Sequence, residues 1–240
     1  MHVLAASSLV LGLLSAPAAA PTQTLYGVAW ADGAGHLRIT PMTATYGKPK
    51  GQPARYALKH KKGAKEIRLD YTGAAFSRVY VECHLKESEG QFNLDKQGFG
   101  KTRCPAKDIG WALALGPETV RIEYRGGKAI RVREFLNFDF ASKTQRGQLK
   151  RLDDNTLLFN GRKLGYNGHL TFYRVTAKCN AGWLTGEPVN ADRNGLGKKA
   201  CSAADLNRAL KGHKYTWLAQ VEYYDVLGMA LVVREVFGDA

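Results

Sequence analysis

The chain has 240 residues, and 35 Lys and Arg residues against 21 Asp and Glu residues give it a formal net charge of +14. A chain of this length can bury one large hydrophobic core or two small ones. It contains no apolar stretch of the roughly 20 residues that a membrane-spanning helix needs, and no zinc-finger, RRM or recognition-helix pattern. The composition therefore argues against a membrane span and against a nucleic-acid partner.

Residues 1–20 have the pattern of a secretory signal peptide. An apolar run over residues 3–14 is too short to cross a bilayer, and it is followed by small residues that lead to Pro21. The basic residues that usually open a signal peptide are missing, since His2 is the only ionisable side chain of the segment. We expect cleavage after Ala18 and a secreted, extracellular mature protein of about 220 residues.

The rest of the chain contains one pattern twice. Residues 93–113 and residues 190–210 align without a gap, and 10 of the 21 positions are identical. Shorter matching segments flank both stretches. A duplicated pattern implies that one supersecondary module is folded twice. We therefore assign module 1 to residues 21–136 and module 2 to residues 137–240.

Most segments of both modules alternate apolar and polar residues with the period of a β-strand. The predicted strands cover residues 24–30, 36–40, 55–59, 67–71, 76–83, 120–124 and 129–135, and then 156–159, 169–178, 217–224 and 229–237. One short amphipathic helix follows the second cysteine of each module; Ser202 and Asp205 have the spacing of its capping pair in module 2. We predict a mainly β protein, α+β with one short helix per repeat, built as two tandem pseudo-symmetric modules.

The four cysteines predict disulfides, because secreted chains meet an oxidising environment. Four cysteines allow three connectivities, and the duplication selects one of them. Pairing Cys83 with Cys104 and Cys179 with Cys201 is the only choice that gives both modules the same bond. Zinc coordination would need close C-x-x-C pairs, which are absent. Loops of this size predict a stabilisation of about 3 kcal/mol per disulfide.

Module 1 contains a stretch that module 2 lacks, residues 48–65, which we call the basic insertion. It has seven basic residues and no acidic one, so it carries half of the net charge. Gly and Pro residues at its start predict an exposed loop. The candidate binding residues for an acidic protein surface or an anionic cell-wall polymer are Lys48, Lys50, Arg55, Lys59, Lys61, Lys62 and Lys65. The alternative is a solvated, partly disordered loop.

Both modules also retain an arginine and a glutamate that we predict to pair. Arg78 and Glu134 of module 1 correspond to Arg174 and Glu235 of module 2. Each glutamate falls on the apolar face of its predicted strand, and an inward carboxylate needs a partner. We interpret both pairs as structural ion pairs, with a functional site as the alternative.

The repeated Asn-x-Asp-x-x-Gly segments, residues 93–98 and 190–195, resemble the first half of a calcium-binding loop of the EF-hand kind. Position twelve of such a loop is normally a bidentate glutamate, and here it is a cysteine in both copies. Lys96 and Arg193 add positive charge inside the loops. We favour turns in which Asn and Asp side chains bond nearby backbone groups, and we predict neither a metal nor a cofactor.

No nucleophile–base or metalloprotease signature occurs in the sequence. We therefore predict a secreted, non-catalytic binding protein, either an adaptor or subunit of an extracellular protein assembly or an inhibitor. It would use the basic insertion and the extended N-terminal segment, residues 21–26, which could add a strand to a partner's groove. The alternative is a small secreted hydrolase acting on an anionic polymer, with His84, Glu82 or His169 in acid/base roles.

Overall fold

A computed structural model describes residues 20–84, 91–137, 141–181, 189–211, 213 and 215–237. The described residues form two β-sheets of eight and seven strands and two helices of nine residues each. The predicted mainly β class with one short helix per repeat is confirmed. The signal-peptide prediction concerns residues 1–20, and all of these except Ala20 lie outside the described residues. Neither helix has the length and apolar character needed to cross a membrane.

The sheet of module 1 is a ring of five strands with additions at both ends. Its strands are β1 (Gln23–Ala31), β2 (His36–Gly47), β3 (Arg55–His60), β4 (Ile67–Asp70), β5 (Ala75–Arg78), β6 (Thr102–Cys104), β7 (Glu118–Arg125) and β8 (Lys128–Glu134), and its helix is α1 (Lys107–Leu115). The sheet order is β3-β2-β1-β7-β8-β5-β6, and β4 pairs with both β2 and β8. The ring β1-β2-β4-β8-β7 therefore closes on itself, so its strands have neighbours on both sides and the free edges of the sheet lie at the added strands β3 and β6.

Module 2 repeats this arrangement. Its strands are β9 (Ser142–Arg151), β10 (Thr156–Phe159), β11 (Arg162–Gly165), β12 (Thr171–Arg174), β13 (Lys199–Ser202), β14 (Trp217–Tyr224) and β15 (Met229–Glu235), and its helix is α2 (Ala203–Lys211). The order β11-β10-β9-β14-β15-β12-β13 has the same closure, because β11 also pairs with β15. The part of module 2 that the structure describes has no counterpart of β3, which is the strand formed by the basic insertion.

Each ring encloses its own hydrophobic core, covered by its helix. Leu37, Leu69 and Ile122 are fully buried in module 1, as are Leu149 and Phe172 in module 2. The helix α2 begins with the predicted capping pair: the Asp205 N–H donates to Ser202 Oγ at 3.2 Å, and the Ser202 N–H donates to Asp205 Oδ2 at 3.0 Å. This reciprocal arrangement satisfies two backbone donors that a helix start leaves without partners.

Both predicted disulfides are confirmed. Cys83 is bonded to Cys104, and Cys179 to Cys201, with Cα–Cα distances of 5.7 and 5.6 Å. Each bond joins the segment after β5 or β12 to the end of the hairpin partner, β6 or β13. The disulfides therefore close equivalent loops in the two modules.

The two modules pack together through a cluster that we call the junction cluster. Its buried members are Val28, Met42, Tyr56, Leu58, Phe99 and Phe135 of module 1 and Leu227 of module 2. Polar contacts add to it: Arg38 Nη2 donates to Thr156 Oγ1 at 3.0 Å, and Lys163 Nζ lies 2.9 Å from Glu66 Oε1. Module 2 thus supplies part of the cover for an apolar face of module 1.

The N-terminal segment is extended, as expected, and from Gln23 onward it is a strand of the module 1 sheet. Residues Gln23 to Ala29 pair with β7 on one side, and Tyr26 to Ala31 pair with β2 on the other. Gln23, Thr24 and Leu25 are unpaired on the β2 side, where a partner strand could add. Beyond these residues, pairing with a partner would require breaking the ring of module 1, because Tyr26 to Ala29 lie between β2 and β7.

Replacing Gly165 by Ala should weaken the contact between the modules. A Cβ atom there would lie 2.1 Å from the Trp30 ring, and such overpacking typically costs about 1–3 kcal/mol. Denaturant unfolding measures the loss of unfolding free energy. The control is Gly168→Ala, since Gly168 is exposed and a Cβ there meets no atom within 4 Å. Equal stabilities of the two variants would contradict tight packing at this position.

Candidate functional site

The basic insertion forms an edge strand with exposed turns on both sides. Lys48 and Lys50 lie in the turn between β2 and β3, Arg55 and Lys59 lie on β3, and the other three lysines follow it. All six lysines are exposed, and no described carboxylate oxygen lies within 4.0 Å of their amino groups. Arg55 differs, because it is half-buried and donates to Gln52 Oε1 at 2.9 Å.

Aromatic packing fixes the position of this strand. Tyr56 and Leu58 point from β3 into the junction cluster. The Tyr56 ring lies 5.0 Å from the Phe135 ring and 5.1 Å from the Phe99 ring, measured between centroids. Side chains of a β-strand point alternately to its two faces. Lys59 therefore lies on the face opposite Tyr56 and Leu58 and is exposed to solvent. Lys59 is therefore presented by a strand that is anchored in a hydrophobic cluster, and the other lysines lie in the segments that flank this strand.

A buried arginine–glutamate pair lies at the same place in both modules. Arg78 Nε donates to Glu134 Oε1 at 3.0 Å, and the Val79 N–H donates to Glu134 Oε2 at 2.9 Å. Arg78 also donates to the carbonyl of Cys83 at 2.7 Å. These bonds use both carboxylate oxygens of Glu134 and connect β5, β8 and the disulfide loop.

Module 2 reproduces this network. Arg174 Nε lies 3.3 Å from Glu235 Oε2, the Val175 N–H donates to the same oxygen at 3.0 Å, and Arg174 donates to the Cys179 carbonyl at 3.1 Å. The four residues that the sequence singled out are thus brought together as two equivalent buried pairs.

The surroundings of the two pairs differ at one position. Val120 lies opposite Glu134, and Ala219 lies opposite Glu235. Two residues earlier on these matched strands, module 1 has Glu118 and module 2 has Trp217. Trp217 is 2 % exposed and its ring packs against Arg174, at 5.8 Å from the guanidinium carbon. Module 1 has a carboxyl group where module 2 has a large aromatic side chain.

Glu118 lies in an open cleft of about 340 Å³, which we call the Glu118 cleft. Its lining includes Arg78, Tyr80, Phe92, Leu115, Pro117, Glu118, Glu134, Asn137, Asn167, Leu227 and Met229. The last four belong to module 2, so the cleft opens at the contact between the modules, a common place for binding sites. The Arg78–Glu134 pair is buried at its floor, while the Glu118 side chain is 23 % exposed.

The Glu118 carboxyl group lacks the partners that Glu134 has. It accepts no hydrogen bond from any residue that the structure describes, and its Oε1 lies 4.0 Å from Arg78 Nη2. Burial and the neighbouring Glu134 carboxylate raise the pKa of Glu118 well above its usual range, against the opposing charge of Arg78. Burial also raises the pKa of Glu134, but Arg78 and the Val79 N–H oppose this shift. Of the two neighbouring carboxyl groups, Glu118 is therefore the one that binds a proton more readily as the pH falls.

The candidate acid/base residues of the hydrolase alternative are distributed differently. His84 Nε2 lies 3.1 Å from Asp108 Oδ1, and the His84 ring packs edge-on against Trp111 at 5.1 Å. His169 follows β11, and its N–H donates to Asn167 Oδ1. The sulfur of the neighbouring Cys83 is in a disulfide and is not a thiolate nucleophile. Asp108 orients His84, but no described contact joins His84 to Glu82 or His169.

The Asn-x-Asp-x-x-Gly segments are turns closed by their own aspartates. Asp192 Oδ1 accepts the N–H groups of Asn194 and Leu196 at 2.7 and 2.9 Å, and these backbone bonds lower the pKa of Asp192. Asp95 makes the equivalent bonds in module 1. Gly98 and Gly195 have φ angles of 83° and 75°, which glycine adopts without steric cost. Both features match the turn interpretation, in which the aspartates bond the backbone.

Comparisons with known proteins add no family: no family model, no curated protein and no solved structure matches this chain. The site residue that sequence reasoning missed is Glu118. It lies just outside the predicted strand 120–124, so the sequence pattern does not match it with Trp217. The equivalence of the two positions follows from the pairing of β7 with β8 and of β14 with β15, the strands that hold Glu134 and Glu235.

Replacing Glu118 by Gln should raise stability at neutral pH. The folded protein holds the Glu118 proton more tightly than the unfolded chain does. The contribution of the protonated Glu118 to folding stability is complete below the pKa of the unfolded chain, about 4.3. It is lost as the pH rises through the pKa of Glu118 in the folded protein. The variant should therefore unfold at the wild-type temperature near pH 4 and at a higher temperature near pH 8. Each unit of raised pKa corresponds to about 1.4 kcal/mol.

Thermal unfolding at both pH values tests this expectation. Glu123→Gln on the same strand is the matched control, because Glu123 lies outside the cleft and pairs with Arg121 and Arg131. The Glu123→Gln variant should show no increase in unfolding temperature near pH 8. A Glu118→Gln variant that is no more stable than wild type near pH 8 would contradict a protonated Glu118.

Proposed function

We propose that this chain is a non-catalytic binding protein of an extracellular assembly, an adaptor, subunit or inhibitor, that docks an acidic protein surface on the basic insertion. The observation that supports it most is the set of six exposed lysines without carboxylate partners among the described residues. Lys59 lies on β3, which Tyr56 and Leu58 anchor, and the other five lie in the segments that flank this strand. Charges on an anchored strand lose less conformational freedom on binding than the same charges on a mobile loop. Secretion is part of the proposal, and the two disulfides are compatible with an oxidising compartment.

Electrostatics determine what such a surface contributes. Exposed charges steer the encounter and are screened by salt, with a Debye length of about 8 Å at physiological ionic strength. They change the association rate more than the dissociation rate. The proposed partner therefore carries a complementary acidic face, and its own apolar contacts would determine how long the complex lasts. An anionic cell-wall polymer offers the same charge without a defined shape.

The hydrolase alternative is supported by one contact, the 3.1 Å approach of His84 to Asp108. A carboxylate that orients a histidine is part of several nucleophilic mechanisms. The described neighbours of this pair supply no nucleophile, and the cysteine sulfur beside it is in a disulfide. Binding therefore fits the arrangement better than hydrolysis of a polymer does.

Changing Lys59, Lys61, Lys62 and Lys65 together to Gln tests the docking proposal. Because these side chains are exposed, the unfolding free energy should stay within about 0.5 kcal/mol of wild type. Association with the partner purified from culture supernatant should slow by roughly tenfold at low salt, with little change in dissociation. Surface plasmon resonance at two salt concentrations measures both rates.

The control variant changes four exposed lysines of module 2 to Gln, namely Lys150, Lys178, Lys198 and Lys199. It removes the same charge from another part of the surface. Equal losses from both variants would mean that diffuse charge, rather than the basic insertion, attracts the partner. Co-sedimentation with purified cell walls, lost only in the insertion variant, would identify the polymer as the ligand instead.

A further inference from the structure

We propose that the Glu118 cleft is a binding site for a primary amine, such as the side chain of a lysine presented by a partner, with Glu118 as its counter-ion. This site is separate from the basic insertion and has the opposite charge preference. It therefore does not depend on the docking proposal.

The charges of the cleft favour a cation once Glu118 is ionised. Arg78 and Glu134 lie 3.0 Å apart and compensate each other. An ionised Glu118 then leaves the three groups with one negative charge in excess, in a place where burial makes that charge costly. An anion would be repelled by the two carboxylates. A neutral ligand would leave this excess charge uncompensated, so a cation removes the cost without Glu118 having to take up a proton.

The walls of the cleft fit an alkyl chain that ends in an ammonium group. Leu115 and Pro117 of module 1 face Leu227 and Met229 of module 2, and apolar walls of this kind bury the methylene groups of a lysine side chain. Tyr80 and Phe92 also line the cleft, with ring centroids 6.0 Å apart. The Arg78 guanidinium already lies over the Tyr80 ring, 4.8 Å from its centroid. Phe92 therefore supplies the further aromatic face, and such faces attract organic cations. The compact ammonium group, with three donors, suits a single carboxylate better than the planar fork of a guanidinium does.

Module 2 shows what the same scaffold looks like without such a site. Its Arg174–Glu235 pair is covered by Trp217, which is 2 % exposed. The fold of each module therefore accepts a buried aromatic side chain at the position of Glu118, next to the arginine–glutamate pair. Module 1 instead has an acid without hydrogen bonds from described residues, in a cleft with room for a ligand.

Binding should displace a proton. The Glu118 carboxylic acid releases its proton to solvent and becomes a carboxylate, while the ammonium group keeps all its protons. The other titratable groups among the described residues that line the cleft are Arg78, Glu134 and Tyr80. Arg78 and Glu134 are already paired. Affinity should therefore rise with pH, up to tenfold per pH unit, and level off once Glu118 is ionised.

The probe is Nα-acetyl-lysine methylamide, titrated into the full chain by isothermal calorimetry at a series of pH values. We expect binding that strengthens with pH and releases a proton, measured by comparing buffers of different ionisation enthalpy. The Nε-acetylated analogue, which has no charge, should not bind. n-Butylamine tests the source of the amine: tighter binding of the peptide-like probe indicates a lysine side chain, and equal binding indicates a free amine.

Two variants complete the test. Glu118→Gln should weaken binding at least tenfold and abolish its pH dependence, and Glu118→Trp, which copies module 2, should abolish binding. Glu123→Gln should bind as wild type does. Binding that survives Glu118→Gln, or equal binding of the acetylated analogue, would overturn the proposal, and so would the absence of binding at all pH values.

Discussion

The buried arginine–glutamate pair is the interaction on which each module depends. Arg78 connects its own strand, β5, to β8 through Glu134 and to the disulfide loop through the carbonyl of Cys83. A buried ion pair adds little net stability, yet removing one partner typically costs about 3–5 kcal/mol, because the other charge stays buried. The pair forms in the observed register of β5 on β8, in which Phe76 lies opposite Val132. Arg174 and Glu235 pair in the same register in module 2.

Around this shared pair the two copies have diverged. The strand next to it carries Trp217 in module 2 and Glu118 in module 1, and β3 has no counterpart among the described residues of module 2. A charged surface and an acidic cleft are thus both additions to the same half of the chain. Module 2 keeps the repeated core and supplies Leu227, Met229 and Asn167 to the cleft. Comparing the two modules distinguishes the residues that both use to form the fold from the residues that differ and lie at the surface or in the cleft.

The sequence predicted what the duplication repeats, namely the two disulfides, the paired arginines and glutamates, and one helix per module. Each of these is a local pattern that occurs twice, so each copy supports the other. The strand β9 was missed, because Ser142 to Arg146 are all exposed and show no apolar alternation. Ring closure was missed too, since Gly165 pairs with Met229 across a large sequence separation. Such contacts depend on tertiary packing, which local periodicity does not encode.

The junction between the modules has a consequence for assembly. Gly27 and Gly147 occupy equivalent positions opposite Val120 and Ala219. The outward residues Tyr26, Val28 and Trp30 of β1, which belong to the junction cluster or pack against it, therefore correspond to exposed residues of β9, namely Arg146, Gln148 and Lys150.

Module 1 offers an apolar face to the turn that holds Leu227, and module 2 offers a polar one in the same place. A head-to-tail contact between unlike patches propagates into open filaments unless something stops it. Here the contact between the apolar β1 face and the turn of Leu227 occurs once, inside a single chain. The equivalent face of module 2, on β9, is polar, so it does not accept the same contact from a further module.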